Sequence, residues 1–394
     1  MLTRIDDVLI WGSPVDEGAK EQALRCRASS DAVRMMADHH LGYAVPIGGV
    51  VVYRDAISPS GVGYDIGCGN KAVRLDVDAA AVRAGIPKIM DEIVRRISFG
   101  MGRINETPVD HPLFDSADDR WRHPAVSPLK RMAESQLGTV GGGNHYVDVF
   151  VDERDRVWVG VHFGSRGLGH KTATWFLRAG GAKDAIHAAP LVLPVAGALG
   201  EEYVRCMRLA GEYAYAGRDW VCAEVARIIG APIVEEVHNH HNFAWRETHD
   251  GQEVWVVRKG ATPAFPGQCG FVGGTMGENA VILEGVESEE SALTFYSTVH
   301  GAGRAMSRTA ARGKTNRKTG EQLSPGLVTR QAMDEWVNRA GVELRGGDLD
   351  EAPQAYKRLH EVLAHHAATI RILHTLRPIG VAMAARDIVD PFRD

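Results

Sequence analysis

Residues 61–69 read Gly-Val-Gly-Tyr-Asp-Ile-Gly-Cys-Gly, and this glycine-rich loop separates two segments that have the character of β-strands. The strand segments are Gly49–Tyr53 before the loop and Lys71–Val77 after it, both rich in valine. They predict a strand, loop and strand arrangement with the loop at a sheet edge. Asp65 and Cys68 within the loop carry metal-binding groups, and the glycines beside them allow backbone to approach a ligand closely.

The remaining elements mix strands and helices without a regular alternation. Tyr146–Phe150 and Val157–Phe163 predict paired strands, and Asp78–Ser98 predicts a helix that Gly85 and Pro87 interrupt. Helical spacing also occurs at Glu201–Ile229, Gly301–Arg312, Thr329–Ala340 and Ala352–Leu376. The sequence therefore predicts an α+β fold in which one domain, residues 1–394, has packed mixed β-sheets, peripheral helices and a short C-terminal extension at 384–394.

Composition excludes several classes of protein. The chain has 394 residues, of which 44% are hydrophobic and 24% charged, values typical of a globular protein and not of a disordered one. It has no apolar run of about 20 residues and no secretory signal, so we expect a cytoplasmic protein without membrane contact. The five cysteines form no C-x-x-C pair, which favours reduced thiols. A net charge of -5 leaves nucleic-acid binding open.

Three further glycine-rich segments carry histidines. They are residues 138–145 (GTVGGGNH), 162–170 (HFGSRGLGH) and 300–304 (HGAGR), and residues 237–242 (VHNHHN) add three more histidines. Imidazole, carboxylate and thiolate groups bind first-row divalent metals, so five side chains are candidates for holding one or two ions: Asp65, Cys68, His145, His162 and His241. Each one alone is also compatible with a hydrogen-bonded histidine, a buried small thiol or a hairpin glycine, and spacing does not decide between these alternatives.

Taken together, these motifs resemble the RtcB family of GTP-dependent RNA-splicing ligases. The resemblance covers roughly residues 35–383. It rests on the four glycine-rich segments and on residues 38–42 (DHHLG), 241–242 (HN), 258–261 (RKGA) and 274–277 (GTMG).

The resemblance implies an enzyme that seals RNA with a 2′,3′-cyclic phosphate or 3′-phosphate to RNA with a 5′-hydroxyl, using GTP and two Mn²⁺ ions. It implies that Cys68 bridges the two ions, that Asp65 and His145 complete one site, and that His162 and His241 complete the other. His300 matches the family's nucleophile, which accepts GMP from GTP. The GMP then passes to the RNA 3′-phosphate, and the 5′-hydroxyl displaces it.

Other matching positions concern the RNA and the nucleotide. Arg166 matches a clamp for the RNA 3′-phosphate, a role that suits a planar guanidinium, while the alternative is an arginine that packs its stem on the loop. Positions that match nucleotide contacts are Asn144, Asp148, His241, Asn242, Gly274, Thr275, Met276, Gly301, Ala302 and Gly303. Six basic residues and no acidic one lie between Arg304 and Lys318, which fits either a solvated basic helix or a track for the RNA backbone.

Three positions depart from the family pattern. Asp148 stands where glutamate is usual, Ala280 where serine is usual and Met383 where lysine is usual. These departures leave nucleotide specificity open and keep two alternatives in view: a metal-dependent cyclic phosphodiesterase or phosphatase acting on RNA ends, and a non-catalytic RNA-binding paralogue. The sequence also leaves open the native metal, the natural RNA, the oligomeric state and whether an archease-like activator takes part.

Overall fold

A computed structural model describes residues 2–115, 119–183, 185–315 and 322–385 of the chain. Its strands, numbered along the chain, are β1 Leu2–Ile5, β2 Val8–Trp11, β3 Ala32–His40, β4 Ile47–Tyr53, β5 Ala56–Ile57, β6 Gly69–Asp78, β7 Tyr146–Asp152, β8 Arg156–Phe163, β9 Leu193–Pro194, β10 Ile233–His240, β11 Asn242–His249, β12 Gln252–Lys259, β13 Ala261–Pro263, β14 Cys269–Val272, β15 Ala280–Gly285, β16 Ser297–Val299, β17 Gly313–Thr315, β18 Gln322–Pro325, β19 Glu343–Arg345 and β20 Ile370–Met383.

Its α-helices are α1 Glu17–Arg27, α2 Pro59–Val62, α3 Ala79–Arg96, α4 Lys130–Gln136, α5 Arg166–Ala179, α6 Ala198–Ile229, α7 Glu289–Leu293, α8 Arg308–Arg312, α9 Arg330–Ala340 and α10 Leu359–Ala364. Short 3-10 helices lie at Pro112–Phe114, Asp119–Arg122, Ser127–Leu129, Leu349–Glu351 and Pro353–Ala355. Helices and strands are mixed without a regular alternation, so the predicted α+β class is confirmed.

Two large sheets form the frame. The first has six strands in the order β1-β2-β3-β4-β12-β11. The second has eight strands in the order β10-β6-β8-β7-β20-β15-β14, with β19 added in parallel beside β20. Successive side chains of a strand point to opposite faces, and both faces of the central strands β3, β4 and β12 of the first sheet are largely buried. One face packs on helices α1, α5 and α6, and the other packs on β14 and β15 of the second sheet.

Helix α6 runs through the core. Tyr203 and Met207 in its first half join the cluster beneath the first sheet, while Val221 and Val225 in its second half pack on the second sheet. Gly217 allows the helix to approach β8, because a Cβ at this position would lie only 3.3 Å from the Phe163 ring. The longest helix thus fixes the position of β8, the strand that carries His162.

Several predicted elements have different boundaries. The predicted strands around residues 61–69 exist as β4 and β6, but they belong to different sheets, so the expectation of one sheet edge is wrong and the loop connects the two sheets. The predicted break at Gly85 and Pro87 is also wrong: α3 continues through Pro87, which is exposed, so water can satisfy the carbonyl that lacks its N–H partner.

Two predicted helices are much shorter than expected. Within Gly301–Arg312 only α8 is helical, and the preceding residues form an open loop. Within Ala352–Leu376 only α10 and a 3-10 turn are helical, because β20 begins at Ile370 and pairs with β7 and β15. Arg317 and Lys318 of the basic segment, and residues 386–394 of the predicted extension, lie outside the described residues. In the described part of the chain, no helix combines the length and apolar character needed to cross a membrane.

Candidate active site

Adjacent strands of the second sheet bring together the candidate metal ligands. The order β10-β6-β8-β7 places neighbouring strand ends about 4.8 Å apart. Cys68 immediately precedes β6 and His241 immediately follows β10, whose His240 is paired with Gly69. His162 on β8 is the partner of both Asn70 and Tyr146, and His145 immediately precedes β7. Ligands that are far apart in sequence therefore meet at one end of the sheet.

Three of these ligands form a buried group that we call the strand triad: Cys68, His162 and His241. Their ligand atoms all lie within 4.8 Å of one another, and Cys68 Sγ is 3.3 Å from His162 Nε2. Ligands that bind one first-row ion at about 2.0–2.3 Å lie roughly 3–4 Å apart, so the spacing fits a single ion. All three residues are buried.

The second group, which we call the loop triad, consists of Asp65, Cys68 and His145. His145 Nε2 lies 3.2 Å from Asp65 Oδ2 and 3.6 Å from Cys68 Sγ. Asp65 and His145 are half-buried and lie on loops. Two glycines make room for them: a Cβ on Gly164 would collide with the Asp65 carboxylate, and one on Gly141 would collide with the His145 ring. The two triads share the Cys68 sulfur, which is the arrangement expected of a bridging thiolate.

Burial and neighbouring charges shift the pKa values of the candidate metal ligands. Burial lowers the pKa of both His162 and His241 well below the ordinary value, so that both imidazoles are neutral and able to coordinate. Burial and the neighbouring Asp65 raise the pKa of the Cys68 thiol well above its usual range. A bound cation has the opposite effect on a thiol and stabilises the thiolate. Nδ1 of His145 and of His241 are buried and lack a hydrogen-bond partner among the described residues.

Arg218 on α6 supports the strand triad from behind. This fully buried guanidinium donates through Nη1 to the Gly67 carbonyl at 2.9 Å and to the Phe163 carbonyl at 2.6 Å. Its Nη2 lies 3.0 Å from His240 Nδ1. Gly67, Phe163 and His240 are the residues next to Cys68, His162 and His241. One side chain thus contacts the chain neighbour of every ligand in the strand triad.

His300 lies beside the strand triad and is held by a carboxylate. Its ring centroid is 4.9 Å from that of His241. His300 Nδ1 lies 2.6 Å from Asp38 Oδ2, which also accepts from the His300 backbone N–H at 2.9 Å. Asp38, on β3 of the first sheet, is fully buried; burial raises its pKa, but the charge and hydrogen bonds of His300 outweigh that effect and hold the pKa below its ordinary value. The contact fixes the imidazole with Nε2 available for chemistry.

The five candidate metal ligands and His300 line one cleft with a volume of about 1860 Å³. The cleft brings together every residue that matched a nucleotide-contacting position: Asn144, Asp148, His241, Asn242, Gly274, Thr275, Met276, Gly301, Ala302 and Gly303. Asn242 is itself fixed, because its Oδ1 accepts from the Gly260 N–H at 2.8 Å. The open loop before α8 supplies Gly301 and Gly303, so its departure from the predicted helix exposes backbone to the cleft.

A carboxyl group on β7 lies at the floor of this region. Asp148 is buried, its Oδ1 has no hydrogen-bond partner among the described residues, and burial raises its pKa well above the usual range. Tyr146 projects from the same face of β7, and Met383 on β20 is its register partner. Ala280 is buried beneath this floor in the same apolar cluster. The floor is therefore apolar around one unpaired carboxyl group.

Arg166 lies behind the loop triad. It is buried, and its guanidinium donates to Thr139 Oγ1 at 3.3 Å and to the Gly100 carbonyl at 3.2 Å. Its charge acts on Asp65: burial raises the pKa of that carboxyl, but the hydrogen bond and charge of His145, with Arg166, bring it to about 2. The observed contacts resemble those of an arginine that packs against its loop.

The basic segment is partly engaged within the protein. Arg304 donates to Glu351 Oε2 at 3.3 Å and to the Asp350 carbonyl at 2.6 Å, and Arg308 pairs with Glu351 Oε1 at 3.3 Å. Both arginines still line the cleft. They are thus oriented by an acidic partner and are not part of a uniformly solvated helix.

Several residues in the cleft or directly behind it were not predicted from the sequence as functional residues. Asp38 occurs in a quoted motif, yet its contact with His300 joins positions 262 residues apart. Lys259, from another quoted motif, lines the cleft, donates to the Tyr43 carbonyl at 2.7 Å, and has a pKa that burial lowers to about 8. Tyr146 carries a usable signal, because strand alternation places it on the same face as Asp148.

The fold and the site define an enzyme with a buried thiol and imidazole centre beside a histidine that a carboxylate orients. Comparison with known proteins identifies its family. A family model described as tRNA-splicing ligase RtcB matches residues 22–384. The RNA-splicing ligase RtcB of Escherichia coli strain K12 is 30% identical, over 94% of this chain and 96% of that protein. The chain belongs to the RtcB family.

Two further relatives extend the comparison. The tRNA-splicing ligase RtcB of Thermococcus kodakarensis is 31% identical, over 88% of this chain and 86% of that protein. The RNA-splicing ligase RtcB of Mycobacterium tuberculosis is 30% identical, over 88% of this chain and 95% of that protein. The similarity extends along most of the length of each protein.

Proposed function

We propose that this protein joins an RNA 2′,3′-cyclic phosphate or 3′-phosphate end to a 5′-hydroxyl end, with His300 as the nucleotide acceptor and residues 1–394 as one catalytic domain. As a member of the RtcB family, whose relatives named above are RNA-splicing and tRNA-splicing ligases, it is an RNA ligase. The observation that carries the proposal is the position of His300, held by Asp38 and 4.9 Å from the His241 ring of the strand triad.

The residues present fit two divalent cations, which we take to be Mn²⁺. The strand triad would hold one and the loop triad the other, with Cys68 shared between them. The close spacing of the ligand atoms and the burial of the strand triad support this fit. Divalent cations would supply charge stabilisation for phosphoryl transfer. Nitrogen and sulfur donors also suit Zn²⁺ and Co²⁺, so the choice of metal depends on availability as well as affinity.

His300 performs the first transfer. Asp38 accepts the Nδ1 proton in a hydrogen bond, which leaves the lone pair on Nε2. Nε2 attacks the α-phosphorus of GTP, a phosphorus–nitrogen bond forms, and the bond to the β-phosphate oxygen breaks to release pyrophosphate. The negative charge of Asp38 stabilises the positive charge that the imidazole acquires during this step.

The cleft floor receives the guanine in this proposal. The unpartnered Asp148 carboxyl suits the N1 and N2 donors of guanine, and the Tyr146 ring beside it offers an apolar surface. The backbone N–H of Gly303 suits a phosphate, whereas that of Gly301 donates to Asp38 Oδ2 at 3.4 Å. Because Ala280 and Met383 supply neither a hydroxyl nor an ammonium group, Asp148 carries most of the polar recognition of the base.

The later steps act on RNA. An oxygen of the RNA 3′-phosphate attacks the phosphorus on His300, so that the phosphorus–nitrogen bond breaks and GMP moves to the RNA end. The 5′-hydroxyl of the second strand then attacks the activated 3′-phosphate and GMP leaves with the electron pair. Arg166 is the proposed clamp for the 3′-phosphate; in that role it would exchange its contacts with Thr139 and Gly100 for the phosphate.

A second candidate function has specific support. The apolar floor made by Ala280 and Met383 weakens nucleotide recognition while leaving the metal ligands intact. A protein with that balance would hydrolyse a cyclic phosphate or release phosphate from RNA ends without joining them.

A joining assay separates these functions. The metal-loaded protein is incubated with GTP, one RNA that ends in a 3′-phosphate and a labelled RNA that begins with a 5′-hydroxyl, and the products are resolved on a denaturing gel. We expect a joined product that requires both ends, and a joining rate reduced about 100-fold or more in Asp38→Asn. Phosphate release without joining, with every nucleotide supplied, would favour the second candidate and contradict ligation.

A further inference from the structure

The cleft extends beyond the metal ligands into a region that the proposed chemistry does not use. We call this region the outer arm; it is lined by Tyr43, Tyr64, His170, Lys171, Arg178 and Lys183. Tyr64 immediately precedes Asp65 of the loop triad. Three of the other residues lie on α5, Lys183 follows that helix, and Tyr43 lies in the loop after β3. The outer arm therefore starts one residue from the metal centre and leads outward along α5.

An aromatic step forms the inner end of the outer arm. The rings of Tyr64 and His170 are nearly parallel, with centroids 5.1 Å apart and an angle of 23° between their planes. Tyr43 meets Tyr64 edge-on at 6.2 Å and is 40% exposed. Such a surface suits a nucleobase, because every base presents a flat π-face and stacking does not depend on its hydrogen-bonding edge.

Positive charge continues outward from the aromatic step. Lys171 and Arg178 are seven residues apart on α5, so they project from the same side of the helix about two turns from each other. Both are exposed, and no carboxylate among the described residues forms an ion pair with either one. Lys183 follows the helix, and the acidic residues that line the whole cleft are Asp16, Asp65, Asp148 and Glu351. The charge pattern favours a polyanionic strand over a neutral ligand.

We propose that the outer arm binds an unpaired RNA end, with one base stacked on the Tyr64 and His170 step and the adjoining phosphates against Lys171 and Arg178. The proposal rests on the proposed function and narrows its substrate class. A base inside a duplex has both faces covered by its neighbours, and the terminal base of a blunt end carries a paired strand that must also fit beside the step, so the step favours a single-stranded nucleotide. The enzyme is thereby directed to ends with unpaired nucleotides and discriminates against blunt duplex ends.

Binding of defined RNAs to the metal-loaded full chain tests the proposal. Fluorescence anisotropy compares a ten-nucleotide single strand, the same strand with an abasic site at each terminal position in turn, and a blunt hairpin. We expect the hairpin to bind more weakly than the single strand. We expect Tyr64→Leu and His170→Leu each to weaken binding of the single strand about tenfold, the order of one lost base stack. Tyr64→Phe, which keeps the ring, should remain within about twofold of the wild type.

The abasic strands locate the stacked base. At the position that occupies the step, the abasic strand should bind the wild-type protein about tenfold more weakly, and Tyr64→Leu should weaken it no further. Lys171→Ala should reduce the slope of log affinity against log salt by about 0.7, while Lys88→Ala on the exposed side of α3 leaves the slope unchanged. Equal losses for single strand, abasic strands and hairpin, or no loss in either leucine variant, would overturn the proposal.

A separate readout distinguishes failure of this proposal from failure of the proposed function. Labelling of the wild-type protein by GTP in the absence of RNA reports nucleotide transfer to His300 independently of RNA binding. If labelling occurs but the Tyr64 and His170 variants bind RNA like the wild type, the outer arm is not the RNA site. If a poly-glutamate peptide competes as well as RNA, the arm recognises charge only and the base-stacking claim is wrong. If no labelling occurs, the proposed function fails whatever the RNA result.

Discussion

The two triads share one sulfur atom but are built differently. The strand triad is buried, its residues lie at the ends of adjacent strands, and Arg218 contacts the residue next to each ligand, through the Gly67 and Phe163 carbonyls and the His240 ring. The loop triad is half-buried, and its two other ligands lie on loops where Gly141 and Gly164 provide the space. The strand triad is therefore preorganised by the sheet, whereas the loop triad depends on loops that open more easily.

The largest effect on metal binding is expected at Cys68, whose sulfur both triads share. Cys68→Ala removes the shared ligand, so we expect both ions to be lost. Metal affinity should fall more than about 100-fold at each site, which exceeds the usual effect of replacing a residue that only contacts a ligand. Metal content after gel filtration, measured by mass spectrometry, reports the loss. Cys269→Ala changes an exposed cysteine and should retain both ions. A Cys68→Ala protein that keeps either ion tightly would show that the sulfur is not shared.

The second-largest effect should lower the metal affinity of one triad and not of the other. Arg218→Met removes the guanidinium that donates to the Gly67 and Phe163 carbonyls, so we expect the strand triad to lose about 10–100-fold in metal affinity while the loop triad changes by less than about threefold. Calorimetric titration with Mn²⁺ or Co²⁺ resolves the two sites. Arg218→Lys keeps the charge without the planar fork and should fall between the wild type and Arg218→Met. Equal loss of metal affinity at both sites, in a protein with a wild-type circular dichroism spectrum, would contradict the role of Arg218 in supporting the strand triad.

The smallest effect should be confined to the loop triad. Gly164→Ala places a methyl group against the Asp65 carboxylate, so we expect a loss of about tenfold at this site and none at the strand triad. Gly85→Ala on α3 is the matched control, because its Cβ would meet only Ile89 at 3.7 Å; it should leave metal binding unchanged and stabilise the protein by about 0.5–1 kcal/mol. Unaltered affinity in Gly164→Ala would mean that Asp65 moves freely enough to make the space irrelevant.

Local sequence was sufficient for part of this architecture. The strands β7 and β8 and the long helix α6 follow from their own periodicity, and the candidate ligands follow from residue type and the family resemblance. Strand β20 does not, because its first half resembles the end of a helix and its partners β7 and β15 lie far away in sequence. Tertiary pairing overrides local preference there.

The site shows the same limit. The contact between Asp38 and His300 and the contacts of Arg218 depend on elements brought together by the sheets and α6, so no local pattern in the sequence predicts them. Asp38 was visible as an acidic residue in a motif, and Arg218 was not visible at all as a functional residue. Residues that act by positioning others leave weaker sequence signals than the ligands they position.

His300, oriented by Asp38 beside the strand triad, is the proposed acceptor of the nucleotide. The most direct measurement incubates the metal-loaded protein with each α-³²P-labelled nucleoside triphosphate, for the wild type and His300→Ala, followed by a denaturing gel. We expect an acid-labile, alkali-stable label from GTP on the wild type and none on His300→Ala. A label that persists in His300→Ala, or no label from any nucleotide on a protein that holds both ions, would contradict the proposed role of His300.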